Sequence, residues 1–199
     1  MTLDTLMAAS LFSVVSYITP GPNNAMILAS SVNFGLRRSV PHLSGICLGF
    51  GFMLLVVGLG LHGVLASHPQ VLEWMRYAGA AYLLWLAWNL ARASTMQADT
   101  RATAKPLSFL GASAFQWINP KAWVMAMTAM STYLPASATL PEVLLLTALM
   151  TVLGSPCVLI WAGFGSALRD ALQDPARLRI FNVAMALGLV ASLYPVLVA

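Results

Sequence analysis

The feature that most constrains this chain is a long uncharged run near its start. From Leu6 to Ser31 the sequence contains no Asp, Glu, Lys or Arg. A helix needs about 20 predominantly apolar residues to cross about 30 Å of hydrocarbon. The run is long enough for that, whereas a helix on the surface of a soluble domain needs a polar face toward water.

The composition extends this argument to the whole chain. Of its 199 residues, 59% are hydrophobic and 8% are charged, and the mean hydropathy is +0.81. Soluble domains carry about 25% charged residues. This excludes a soluble enzyme, a disordered protein and a nucleic-acid-binding domain, and the scattered Lys and Arg residues form no basic stripe. We therefore expect the lipid bilayer as a partner and no nucleic acid.

Six apolar segments of membrane-spanning length account for most of the chain, and the loops between them are too short for a soluble domain. The first is not a cleaved signal peptide, because Asp4 replaces a basic start and the apolar run is too long. We predict an all-α membrane protein with one transmembrane domain over residues 1–199. The six predicted spans cover about 6–31, 40–66, 71–91, 107–134, 142–168 and 180–198.

The basic residues predict the orientation of the spans. Lys and Arg mark the loops that face the cytoplasm. The loops after spans 1, 3 and 5 contain eight of them, whereas the opposite side has only Arg76. Both termini are therefore predicted to be periplasmic. The eight residues are Arg37, Arg38, Arg92, Arg101, Lys105, Arg169, Arg177 and Arg179.

A weak internal repeat relates the two halves of the chain. A shift of 100 residues aligns Tyr-Ile-Thr-Pro at 17–20 with Trp-Ile-Asn-Pro at 117–120. Each half has three spans, an odd number, so the halves must be inverted relative to each other, as in many secondary transporters. We predict a first repeat over about 1–93, a cytoplasmic linker over about 94–106 and a second repeat over about 107–199.

Both aligned segments contain residues that interrupt a helix. Pro20, Gly21 and Pro22 lie near the middle of span 1, and Pro120 lies near the middle of span 4. Proline in a helix interior removes a backbone donor and costs about 3 kcal/mol or more. Freed carbonyl groups find no water in lipid, so the breaks must face protein or a wet cavity. Helices 1 and 4 are therefore predicted to be broken at mid-membrane.

The residues at the breaks are suited to an anion. Thr19 or Gly21 can cap a new half-helix after the first break, and Asn119 can cap one after the second. Each new N-terminus has unpaired N–H groups and about half a positive charge, which favours a carboxylate. Asn23 and Asn24 add amide groups that suit a molecule with both a carboxylate and an ammonium group.

Lys121 is the only charged residue deep inside a predicted span, and intramembrane charges are functional candidates. We expect it to pair with a substrate carboxylate or to titrate during transport; the alternative is that it snorkels or pairs with carbonyl groups of the broken helix. The candidate binding site comprises Thr19, Pro20, Gly21, Pro22, Asn23, Asn24, Asn119, Pro120 and Lys121.

The remaining candidates have structural interpretations. Cys47 and Cys157 match no metal-binding spacing and are interpreted as small core residues. His42, His62 and His68 lie near span ends and are interpreted as interface residues rather than a proton relay. No metal and no cofactor are expected.

Five glycines line span 2, and small residues along one helix usually indicate close helix packing, which leaves a homodimer open. They are Gly45, Gly49, Gly51, Gly58 and Gly60.

These motifs also carry a family resemblance. The runs 19–24 (Thr-Pro-Gly-Pro-Asn-Asn), 119–121 (Asn-Pro-Lys) and 78–88 in span 3 resemble the LysE/RhtB family of bacterial amino-acid exporters, most of all its cysteine and O-acetylserine exporters. The segment 105–109 and Asn182 fit the same pattern. The resemblance implies an inner-membrane secondary transporter that exports small amino acids or their derivatives, driven by the proton gradient.

Other classes of membrane protein fit less well. An ion or metal transporter on the same six-helix plan needs clustered ligands, which the spans lack. An intramembrane enzyme needs paired acids or a Ser with a His inside the membrane, so no enzyme is expected. A non-transport assembly protein would leave two matched breaks unexplained.

Overall fold

The protein is all-helical over the residues that its computed structural model describes, which are 1–61, 69–92, 105–135 and 137–194. This confirms the all-α part of the predicted fold class. A π-helical turn, Val57–Leu61, follows the third helix. Within the described residues we number eight α-helices: α1 (Leu3–Ile18), α2 (Pro22–Phe34), α3 (Leu36–Val56), α4 (Pro69–Arg92), α5 (Phe109–Gln116), α6 (Pro120–Tyr133), α7 (Leu140–Leu168) and α8 (Pro175–Ala191).

Several helices are long and apolar enough to cross a membrane. Leu36–Gly60 and Leu140–Leu168 each meet this criterion alone. Helices α1 and α2 meet it together, as a pair bent by 52°. These elements correspond to predicted spans 2, 5 and 1. Most of the predicted linker 94–106 lies outside the described residues, as do Arg101, His62 and His68.

The last helix corrects a predicted boundary. Helix α8 begins at Pro175, whereas span 6 was predicted to begin near Ile180. The Asp174 side chain accepts a hydrogen bond from the Arg177 backbone N–H at 2.9 Å and caps the helix. Arg177 and Arg179, which were predicted in the loop after span 5, therefore belong to the start of α8.

Helices α2, α3 and α7 form the centre of the described structure. Helix α3 packs on α5 and α7, and α1 and α2 both pack on α7. Their shared core includes Ile27, Ile46, Phe50 and Met150, all almost completely buried. Helices α4 and α8 pack on each other beside α2, around a second cluster that includes Leu83. This arrangement brings both predicted breaks to the same central core.

The predicted close packing of span 2 is confirmed at its glycines. A Cβ on Gly49 would lie 2.5 Å from the Ser113 Cα, and one on Gly45 would collide with the Phe109 backbone oxygen. The Ser113 hydroxyl donates a hydrogen bond to the Gly45 carbonyl at 3.1 Å. This face of α3 is therefore occupied by α5 of the same chain, so a homodimer would have to use another surface.

Many large apolar side chains are exposed on the outside of the bundle. Leu110 is 75% exposed, Val152 is 68% exposed and Leu11 is 67% exposed. Soluble monomers rarely expose continuous apolar surface on this scale. In lipid such side chains lie against acyl chains, which fits the apolar composition. Cys47 and Cys157 are buried and free, as predicted.

Candidate functional site

The first break separates α1 from α2. Helix α1 ends at Ile18, α2 begins at Pro22, and the two axes differ by 52°. Pro20 and Gly21 lie between them. The prediction of a break here is confirmed. Of the two predicted caps, Thr19 and Gly21, it is Gly21 that precedes the new helix, which begins at Pro22 without a side-chain cap.

Side chains from α2 and α7 satisfy the last carbonyl groups of α1. The Asn24 amide donates to the Tyr17 carbonyl at 2.7 Å and to the Thr19 carbonyl at 2.8 Å. The Trp161 indole N–H donates to the Ile18 carbonyl at 3.0 Å. A helix C-terminus leaves such carbonyls without intrahelical partners. These bonds therefore stabilise the open end of α1.

Lys121 bridges the two breaks. Its Nζ donates to the Thr19 carbonyl at 2.8 Å, to the Thr19 hydroxyl at 2.9 Å and to the Pro20 carbonyl at 3.3 Å. A helix C-terminus carries partial negative charge, which favours a cation there. A Cβ on Gly21 would lie 2.8 Å from the Lys121 Cδ, so the missing side chain lets the lysine cross. In this conformation Lys121 pairs with carbonyl groups of the broken helix, which was the alternative role considered for it in the sequence analysis.

The second break separates α5 from α6. Helix α5 ends at Gln116 and α6 begins at Pro120. The Asn119 side-chain oxygen accepts a hydrogen bond from the Lys121 backbone N–H at 3.1 Å. The prediction that Asn119 caps a half-helix beginning at Pro120 is confirmed.

A reciprocal pair of hydrogen bonds joins the two breaks a second time. The Asn23 amide donates to the Gln116 side-chain oxygen at 2.8 Å, and the Gln116 amide donates to the Asn23 side-chain oxygen at 3.1 Å. Gln116 is fully buried. Asn23 follows the first break and Gln116 precedes the second. The two breaks are therefore linked twice, once through Lys121 and once through the Asn23–Gln116 pair.

A small cavity of about 30 Å³ lies between the breaks. One water occupies roughly 10–15 Å³ on this measure, so the cavity has room for about two waters. The N-termini of α2 and α6 both border it, which gives it positive partial charge. This space is too small for an amino acid. Its lining comprises Ser16, Tyr17, Gly21, Asn23, Asn24, Ile46, Phe50, Asn119, Lys121, Ala122, Met125 and Val158.

The nine predicted site residues all lie at or beside the two breaks, but not all of them line the cavity. Five line the cavity, namely Gly21, Asn23, Asn24, Asn119 and Lys121. The others are Thr19 and Pro20, which are exposed and bind Lys121 through their oxygens, and Pro22 and Pro120, which begin α2 and α6.

The sequence interpretation did not include Gln116 and Trp161. Gln116 carries the only amide side chain in α5 and lies directly before the break, and this was a usable signal. Trp161 gave none, because its partner Ile18 is 143 positions away in the chain. Both residues bind groups of the first break and complete the set that fixes it.

Comparison with known proteins identifies the relatives of this chain. The profile of a family described as LysE type translocator matches residues 14–192. The chain is 33% identical over 192 residues to a cysteine/O-acetylserine efflux protein of Escherichia coli (strain K12), and equally to one of Shigella sonnei (strain Ss046). Each alignment covers 96% of this chain and 96% of the relative. No solved structure matches the chain.

Proposed function

The chain belongs to the LysE type translocator family, and we propose that it exports small amino acids or their derivatives. Members of this family are transmembrane transporters and not enzymes. The efflux proteins that the chain resembles make cysteine and O-acetylserine the first cargoes to test. Both carry a carboxylate and an ammonium group. We place the binding site at the two breaks, and the observation that carries this proposal is the pair of cross-bonds between them.

The proposed binding step is a competition for Lys121. Its ammonium binds oxygens of Thr19 and Pro20, and therefore ties α6 to the end of α1. A cargo carboxylate competes for the same ammonium, while N–H groups at the starts of α2 and α6 supply further donors. Cargo binding would thus replace the Lys121 link and leave the Asn23–Gln116 pair as the remaining link between the breaks.

The proposed architecture is six spans in two inverted repeats, over about 1–93 and 107–199 with the linker between them. We place the chain in the bacterial inner membrane with both termini periplasmic. The Met1 ammonium lies 3.4 Å from the Glu142 carboxylate, so the starts of α1 and α7 share one end of the bundle. Arg38, Lys105 and Arg169 border one cavity near the opposite end of α7, which supports a common side for these three basic residues.

Reporter fusions test the proposed orientation. Fusions after Arg38 and after Lys105 are expected to report cytoplasmic positions, and a fusion at Ser137 is expected to report a periplasmic one. The basis is the excess of Lys and Arg on one side. The reverse pattern would overturn the orientation.

Efflux from cells tests the site. Overexpression should raise external cysteine or O-acetylserine, and Lys121→Met and Asn24→Ala should abolish the increase at equal membrane abundance. Val124→Met is a matched control, because Val124 is 66% exposed on the outside of α6. Export at the unsubstituted rate by both site variants would remove the proposed site.

The proposed energy source is the proton gradient. A protonophore should then stop export against a concentration gradient while downhill exchange of cargo continues. Uphill export that persists in the presence of the protonophore would contradict proton coupling and leave the site proposal standing.

A further inference from the structure

A second and much larger cavity lies about one helical turn away from the site between the breaks. Its volume is about 840 Å³, within the range of about 300–1,000 Å³ that is typical of ligand pockets. We call it the vestibule. Residues of α2, α3, α4 and α8 border it, together with the stretch before α5 and the turn after α7, and its polar lining includes Arg38, His42, Asn89, Lys105, Arg169 and Gln173.

The charged residues that border the vestibule in the described part of the chain are all basic. Arg38, Lys105 and Arg169 border it from three separate segments, and no Asp or Glu is among the described residues of its lining. A Cβ on Gly35 would lie 2.8 Å from the Arg169 Nη1, so the arginine lies across a residue without a side chain. Three cations around one cavity raise the local concentration of anions. The vestibule therefore favours a ligand with a carboxylate.

His42 gives a second, independent indication of a ligand. It borders the vestibule but is only 2% exposed, so its interpretation as an interface residue is wrong. Neither ring nitrogen has a hydrogen-bond partner within the described part of the chain. Buried polar groups are nearly always paired, and each exception requires an explanation. A polar ligand that enters the vestibule would supply the missing partner after a small side-chain shift.

The vestibule is also close to the site between the breaks. Ile46 borders the small cavity and lies four residues after His42 on α3, which is one helical turn. Similarly, Asn23 borders the small cavity and Met26 borders the vestibule on α2. Buried Ile46 and Met26 thus belong to a thin partition between the two spaces.

We propose that the vestibule is an entry site that captures the cargo carboxylate on the cytoplasmic side, before the cargo passes to the breaks. This inference rests on the proposed export function. In the present conformation the vestibule has room for an amino acid, whereas the cavity at the breaks has room for about two waters. Arg38, Lys105 and Arg169 attract the carboxylate, and His42 lies at the partition that it must cross.

Transport into inside-out membrane vesicles tests the entry site, because their outer face is the cytoplasmic one. The probe is radiolabelled O-acetylserine, and the measured quantities are KM and the maximal rate. Lys105→Gln and Arg169→Gln should each raise KM about fivefold, as expected for exposed charges, and leave the maximal rate nearly unchanged. Added salt should raise the KM of the unsubstituted protein more than that of the double variant.

Arg37→Gln is the matched control. Arg37 is exposed beside Arg38 but does not border the vestibule, so its loss removes the same charge from the same side. We expect an unchanged KM for this variant. Equal KM values for Arg37→Gln and Arg169→Gln would overturn the entry site, whether both rise or neither does.

The outcomes separate this inference from the proposed function. If the unsubstituted protein transports, Lys121→Met abolishes transport and the vestibule variants keep their KM, the entry site is wrong and the proposed function stands. If the unsubstituted protein transports no amino acid, the proposed function fails and the entry site fails with it.

Discussion

Replacing Gly21 with alanine is the sharpest perturbation of the site, because it adds one methyl group where Lys121 crosses the first break. The backbone φ of Gly21 is 179°, an extended conformation that any residue adopts. The new Cβ would lie 2.8 Å from the Lys121 Cδ and 3.1 Å from its Nζ. The lysine side chain must therefore move, whereas the backbone can stay.

The size of the shift follows from the contact distances. Carbon atoms pack at about 3.5–4.0 Å, so the Lys121 Cδ must retreat by about 0.7–1.2 Å. A similar shift at Nζ would stretch its 2.8 Å bond to the Thr19 carbonyl beyond the usual range of about 2.7–3.2 Å. Loss of one hydrogen bond to a charged group costs about 1.5–3 kcal/mol. The new methyl group also lies beside the Lys121 Nζ, where the cargo carboxylate is proposed to bind. If it costs the cargo one such bond to the displaced ammonium, the rate should fall about ten- to 150-fold.

The assay is cysteine efflux from cells that contain equal amounts of each variant in the membrane. Gly163→Ala is the matched control, since its Cβ would meet no atom within 4 Å. We expect Gly21→Ala to lose export and Gly163→Ala to keep it. Unchanged export by Gly21→Ala at equal abundance would refute the argument that the lysine position matters.

Two further predictions concern stability, measured by thermal unfolding of the purified protein in detergent. Asn23→Ala and Gln116→Ala should each destabilise the protein. Their double-mutant cycle should give a coupling energy of about 0.5–3 kcal/mol, because the two side chains exchange two hydrogen bonds. Additive effects of the two substitutions would contradict that pairing. Gly154→Ala should destabilise the protein by about 1–3 kcal/mol, because the new Cβ would collide with the Tyr17 ring. Gly188→Ala is the control and should not destabilise it, since its Cβ would meet no atom within 4 Å. Equal unfolding temperatures for the two variants would contradict this packing.

The positions of the breaks could be predicted because their causes are local. Proline lacks an N–H group and is suited to the first turn of a helix, so Pro22 and Pro120 both begin one. Asparagine accepts a hydrogen bond from a backbone N–H two residues on, so Asn119 caps α6. None of these arguments needs a distant residue.

The partners of the polar side chains could not be predicted, because they lie far apart in the sequence. Gln116 binds Asn23 across 93 positions, and the Lys121 Nζ binds Thr19 across 102. His42 was misassigned for a related reason. Helix α3 begins at Leu36, earlier than predicted, so His42 lies within the packed helix and not at its end.

The most direct test of a cargo site between the breaks is a structure of the protein in lipid with cysteine or O-acetylserine bound. We expect the cargo carboxylate within hydrogen-bond distance of the Lys121 Nζ, between Gly21 and Asn119, with the bonds from that Nζ to Thr19 broken. Cargo bound elsewhere while the Nζ still binds Thr19 would contradict the proposal.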